Sequence, residues 1–163
     1  QSINNKPSAI RYPRDFAYKY NNNNNFQKIF IGKGKILKIG KKIAFLNLGT
    51  RLKKVLEINE MIKNHHKLNC TVVDMRFAKP IDTKLIQNLN KTHDIFITIE
   101  ENAIGGFSSQ VNDFLINKLN KTPKILNFFM KDEFIDQSDI DDQYNKSGIS
   151  KELIFDKVSM LLK

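Results

Sequence analysis

Three short stretches set ionisable side chains close enough to act together. TVVDMRFAKPID, residues 71–82, opens as an apolar run and then places Asp74, Arg76 and Lys79 within one span. Arginine offers a planar fork of N–H donors that meets a carboxylate or a phosphate with two parallel bonds, and lysine adds a point charge. The stretch is either a structural Asp74–Arg76 pair or an anion-binding group at a strand end. The second stretch is Arg11-Tyr12-Pro13-Arg14, where two guanidinium groups flank a stiff Tyr-Pro pair. It is either a basic surface segment or a second arm of the same anion clamp. The third, ITIEENAIGGFSSQ, ends an apolar run on Glu100 and Glu101 and sets Gly105-Gly106 before a helical pattern. A helix N-terminus there could receive phosphate; the glycine pair equally marks a tight strand-to-helix turn. The stretch matches neither GxGxxG nor GxxxxGK[ST]. Adjacent carboxylates on a strand point to opposite faces, which argues against a paired acid–base site.

Other reactive residue types carry less. His65 and His66 end a helical pattern, where a cation suits the helix dipole, and they lack the i, i+4 spacing of a metal-binding pair. His93 stands by itself in the loop before a strand. Cys70 sits in an apolar run and reads as a small core residue. One cysteine permits no disulfide framework, and no zinc-type CxxC is present. There is no GxSxG or HExxH signature.

The elements that must position these residues follow from periodicity. KIFIGKGKILKIG alternates apolar and polar residues around glycines, as a strand with a turn. Residues 41–50 form an apolar run ended by Gly49, a buried strand. Leu52, Val55, Leu56, Ile58 and Ile62 recur at helical spacing, with Thr50 as the expected N-cap. NCTVVDM is the next strand, and Asp82 the expected N-cap of the helix TKLIQNLNK. DIFITIEE, SSQVNDFLINKLNK, PKILNFFM and KELIFDKVSMLLK read as strand, helix, strand and helix. This alternation predicts an α/β fold: a mainly parallel sheet with helices on both faces and right-handed crossovers. In such sheets ligands lie outside the carboxyl ends of the strands, and Arg76 is at one of those ends.

Lys plus Arg is 27 and Asp plus Glu is 17, a net charge of +10 in 163 residues. The excess is mostly Lys, spread along the chain beside abundant Asn and Ile, as an AT-rich genome would impose on a solvated surface. Along the chain as a whole the aromatics do not interleave with the basic residues as a nucleic-acid stacking platform requires, and no apolar run is long enough to span a bilayer. We therefore expect neither a nucleic-acid nor a membrane partner. The segment before Phe26 does not read as a domain start: it lacks an initiator Met and ends in five Asn, residues 21–25, a tract without packing capacity. The expected organisation is residues 1–20 as the tail of a preceding domain, 21–40 as an Asn-rich loop and first strand region, and 41–163 as the main domain.

SAIRYPR, IGKGKIL, FLNLGT, TVVDMRFAKPID, ITIEENAIGGF and DEFID occur in one order along the chain. In that order they resemble the C-terminal transketolase-type domain of the 1-deoxy-D-xylulose 5-phosphate synthases, preceded by the last residues of a pyrimidine-binding domain. The resemblance implies a full-length homodimeric transferase. It would condense pyruvate and glyceraldehyde 3-phosphate, with loss of carbon dioxide, using thiamine diphosphate and Mg2+. The GDG-type magnesium motif and the Glu that faces the cofactor's pyrimidine ring are not found in this chain. No cofactor-binding, metal or catalytic residue is therefore expected here, and the piece alone is expected to be inactive. In the family one Arg of RYPR and the Arg of DMRF hold the substrate phosphate. These match Arg11 (with Arg14 as the further candidate) and Arg76, with Tyr12, Asp74 and Lys79 as supports. Asp15, Ser108 and Ser138 stand where the family usually has Gly, and the Asn tract is an insertion. The Asn and Lys bias points to an apicomplexan and its relict plastid (apicoplast), or else to a bacterial cytoplasm. Two further readings are a 2-oxo acid dehydrogenase β-subunit domain, concerned with subunit assembly, and a basic module for RNA or anionic membrane.

Overall fold

A computed structural model describes residues 7–12 and 28–162. Five strands form one sheet: β1 (Lys35–Lys38), β2 (Lys42–Asn47), β3 (Thr71–Asp74), β4 (His93–Ile99) and β5 (Lys124–Phe128). Their spatial order is β1-β3-β2-β4-β5. β2 pairs in parallel with β3 and with β4, and β4 in parallel with β5, while β1 runs antiparallel along β3. The expected α/β architecture is therefore present, with one antiparallel edge.

β2 explains the layering. Its side chains alternate faces, as a pleated strand requires. Ile43 and Phe45 join one core with Val55, Ile58 and Ile62 of α1 (Leu52–His66) and Ile154 and Val158 of α5 (Lys151–Met160). Ala44 and Leu46 join the other with Ile86 and Leu89 of α2 (Thr83–Asn90) and Val111 and Leu115 of α3 (Phe107–Asn117). A strand buried on both faces reads as an apolar run without alternation, which is how residues 43–46 read. One further helix, α4 (Ile140–Ser147), precedes α5 and has no counterpart in the sequence reading. IDDQYNKS is short and polar on most sides; the Asp139 side chain caps it by accepting from Asp142 N at 2.9 Å, and Gly148 ends it in the left-handed conformation.

Two expectations are corrected at helix and strand starts. The N-cap of α1 is Arg51, without a side-chain cap; the Thr50 hydroxyl instead donates to Glu101. His93 is not a loop residue but the first of β4, buried between Thr71 Oγ1 (2.8 Å) and the Leu89 carbonyl, to which its Nδ1 lies at 3.0 Å. It ties β3, α2 and β4 together at the amino end of the sheet, a structural position. Cys70 is buried, and burial pushes its thiol up to about 12.

Asp82 caps α2 as expected: it accepts from Leu85 N at 3.1 Å. It also accepts from Gly34 N at 3.2 Å and pairs with Lys33 at 3.4 Å. IGKG and KPID are thus partners. Gly32, at φ +68°, has Pro80 Cγ 2.9 Å from where its Cβ would sit, so no larger residue fits that turn. Asp82→Ala removes one cap bond and one loop bond. It should lower unfolding stability by about 2 kcal/mol in denaturant titration. Cys70 should resist iodoacetamide in the folded protein at pH 8 and react only at the rate of unfolding.

Candidate functional site

Four parallel strands share one direction, so their carboxyl ends form a single edge. β2 delivers Gly49, Thr50 and Arg51 to it, β3 delivers Arg76, and β4 delivers Glu100 and Glu101. Because β1 is antiparallel, with Lys35 opposite Asp74, the IGKG turn reaches the same edge.

Arg76 follows β3 by two residues, after buried Met75, whose N–H donates to the Asn47 carbonyl at 2.8 Å. Its backbone has φ +61°, a left-handed conformation uncommon outside Gly and Asn. Non-glycine residues are held in such conformations where the surrounding structure fixes them, often at ligand sites. Arg76 Nε meets Asp74 Oδ2 at 3.4 Å, and the two side chains stay 28% and 24% exposed. That single long contact through Nε leaves the terminal guanidinium nitrogens without a hydrogen-bond partner among the described residues. The Asp74–Arg76 pair is therefore present, and it engages Arg76 through Nε alone. Lys79 and Pro80 are exposed on the turn that follows.

The second arm is less defined. Arg11 and Tyr12 are described and exposed; Arg14 lies outside the described residues. The structure brings Asp74 and Arg76 together and records no contact of Arg11 or Lys79 with them.

The glycine turn is not a phosphate site. Glu100 is fully buried and accepts from Phe107 N at 2.8 Å and Ser108 N at 2.7 Å, with Asn102 Nδ2 at 3.1 Å. The N–H groups at the start of α3 are thus satisfied by a carboxylate from the chain itself, which also complements the helix dipole. A Cβ on Gly106 would collide with Glu100 Oε2. The glycine there makes room for the carboxylate, not for a ligand. Ser108 sits within this arrangement, buried in the first turn of α3.

Glu101 faces the other way, as neighbours on a strand do. Its Oε1 accepts from the Thr50 hydroxyl and, at 2.5 Å, from the Tyr144 hydroxyl of α4. Burial and then the Glu101 contact raise the Tyr144 phenol above its ordinary value. The Arg51 guanidinium stacks 3.7 Å over the Tyr144 ring, and its Nη2 donates to the Ile149 carbonyl at 2.9 Å. Arg51 and Tyr144 were missed in the sequence. The only signal for Arg51 was its place directly after the GT that closes a strand; Tyr144 belongs to a helix too polar to be read.

Among the described residues no group of His, Cys, Asp and Glu could hold a metal ion, and no helix is long and apolar enough to cross a membrane.

A buried central strand and parallel crossovers define an α/β fold with a basic residue at the carboxyl edge. Residues 32–154 match the family model described as transketolase, C-terminal domain, and the chain belongs to that family. Its relatives include 1-deoxy-D-xylulose-5-phosphate synthases: that of Psychromonas ingrahamii is 40% identical over 156 residues, and that of Aliivibrio fischeri (strain MJ11) is 47% identical over 139 residues. These alignments cover 92% and 80% of the chain but 24% and 21% of the relatives, so the chain spans about a quarter of their length or less. Among solved structures, a split-gene transketolase in an inactive β4 tetramer superposes with a TM-score of 0.72 at 27% identity. That match covers 82% of this chain and 42% of the other.

Glu100→Ala should cost about 3 kcal/mol in unfolding stability, because two buried N–H groups lose their acceptor; Glu100→Gln should recover part of that through its amide oxygen. Arg76→Gly, in contrast, should change stability by less than about 1 kcal/mol. A half-exposed ion pair contributes little, and glycine relieves the positive φ. A large loss with Arg76→Gly would make the residue structural.

Proposed function

We propose that this chain is the C-terminal domain of a 1-deoxy-D-xylulose 5-phosphate synthase. In the full-length protein pyruvate and glyceraldehyde 3-phosphate would be joined, with release of carbon dioxide, to give 1-deoxy-D-xylulose 5-phosphate. The observation that carries the reading is Arg76: a residue at positive φ just past a strand's carboxyl end, its guanidinium partly exposed and engaged, among the described residues, by Asp74 through Nε. The identity of the relatives and the order of the motifs support it.

In this reading Arg76 holds the phosphate of the acceptor aldehyde, and Arg11 or Arg14 supplies a second guanidinium. Asp74 fixes Arg76 through Nε, Lys79 adds positive potential, and Tyr12 stiffens the RYPR arm. Binding energy at the phosphate, remote from the reacting carbons, orients the aldehyde for attack. The GDG-type motif does not occur in this sequence, and among the described residues no cluster has the donors of a metal site. We assign thiamine diphosphate and Mg2+ to domains that precede residue 1, with residues 1–20 as the end of the nearest of them and residues 21–40 as the loop and strand leading into the main domain. Thiamine diphosphate would supply the carbanion chemistry there, and this domain would supply phosphate contacts and surface for a homodimer. The compartment is the plastid if the source is an apicomplexan and the cytoplasm if it is bacterial.

Arg76→Ala in the full-length protein should raise the KM for glyceraldehyde 3-phosphate roughly ten- to a hundred-fold, the loss of one charge-assisted contact. The KM for pyruvate should stay within about two-fold. Steady-state kinetics with each substrate varied in turn checks this; unchanged values for the aldehyde would remove Arg76 from the phosphate site.

A further inference from the structure

A second basic feature of the domain lies apart from Arg76. Arg51 is 4% exposed, yet no carboxylate of the described residues lies within ion-pair distance of it. Its guanidinium has one carbonyl acceptor, the Tyr144 ring beneath it, and an Nε without any partner. A buried cation without an anion is costly, and a buried N–H with no acceptor adds to the cost.

Arg51 lines a cleft of about 160 Å3 bounded also by Lys54, Tyr144, Ser150 and Lys151. Ser150 is the N-cap of the ten-residue helix α5, and its side chain makes no cap hydrogen bond, so the N–H groups of the first turn are not taken up by it. Lys54 approaches Asp141 at 3.8 Å, while Lys151 donates to Glu57 at 3.3 Å and lies 3.7 Å from Glu152. Asp141 is 77% exposed, and Glu152 lines the mouth beside it. Two lysines, a helix N-terminus and a buried guanidinium without a carboxylate partner thus converge on one small polar space. Arg76 is not among the residues that line it.

We infer that this cleft binds a phosphate-sized oxyanion, free or as the end of a phosphomonoester, held by Arg51, Lys54, Lys151 and the start of α5. The volume is ample for one tetrahedral anion. The two neighbouring carboxylates tune its strength: binding is modest, falls with salt, and tightens when Asp141 is neutralised. The site is separate from the substrate phosphate contact proposed for Arg76.

The test uses the full-length protein carrying Arg76→Ala and saturated with thiamine diphosphate and Mg2+, so that other phosphate sites are removed or filled. Inorganic phosphate and glycerol 3-phosphate are titrated separately by calorimetry against sodium chloride of equal ionic strength. Saturable binding in the millimolar range or tighter is expected. Lys54→Ala with Lys151→Ala, at partly exposed positions that spare the fold, should weaken it at least about ten-fold. Asp141→Asn should strengthen it a few-fold at low salt. Response to inorganic phosphate only defines a free-ion site; response to both ligands defines one open to phosphomonoesters. No saturable heat with either ligand, or binding unaffected by the double substitution, overturns the assignment. The kinetics of Arg76→Ala by itself report on the substrate contact independently.

Discussion

The structure depends on β2 being buried on both faces with a parallel neighbour on each side. Five of its six residues are inaccessible, so there is no face on which a chain could return except by crossing over a helix. Parallel crossovers then send every strand of the inner sheet the same way. The consequence is a division of labour between the two ends. At the amino end Thr71, His93 and Leu89 close the sheet with a hydrogen-bonded knot. At the carboxyl end the chain leaves four strands through loops, and that is where its charges gather.

Those charges have different occupations. Glu100 is turned inward and taken up by the N-terminus of α3; Glu101, one residue on, is turned toward α4 and holds Tyr144. The alternation of a strand end separates the two carboxylates into two structural tasks and leaves neither for chemistry. Asp82 is similarly occupied, joining α2 to the IGKG turn. What stays available at the edge is cationic: the fork of Arg76 and the group around Arg51. These cationic groups are the ones to which the proposed anion contacts are assigned, and among the described residues no cluster of His, Cys, Asp and Glu could hold a metal ion.

Much of this was legible in the sequence where burial dictates residue type. The apolar run of residues 43–46, the spacing of Val55, Ile58 and Ile62, and the Asp82 cap all read directly, because a buried face or an orphan N–H admits few residue types. The strand order did not, since parallel pairing leaves no local mark. Nor did the antiparallel sense of β1. Thr50 looked like a helix cap because hydroxyls favour that position; a carboxylate across the edge competed for it and won. The glycine pair looked ready for phosphate, and only the fold reveals that Glu100 already fills the place. α4 went unread because its helix rests on an Asp cap and a Gly stop and not on an apolar stripe. The Asp74–Arg76 question needed coordinates: sequence spacing permits the pair, but only the backbone angle at Arg76 and the single Nε contact reveal a fork left over.

The antiparallel β1 has a consequence for handling the domain. Among the described residues the outer edge of the short apolar strand β3 is covered by β1, which sets Lys35 and Lys38 on an exposed border. Lysine on an edge strand discourages pairing between molecules. A shortened version of the chain that began after Lys38 would keep nearly all of both cores yet bare the backbone of TVVD. Its failure would be intermolecular, as aggregated sheets forming from otherwise folded protein. The four residues of β1 act in this sense as a solubility element, and any dissection of the domain must retain them.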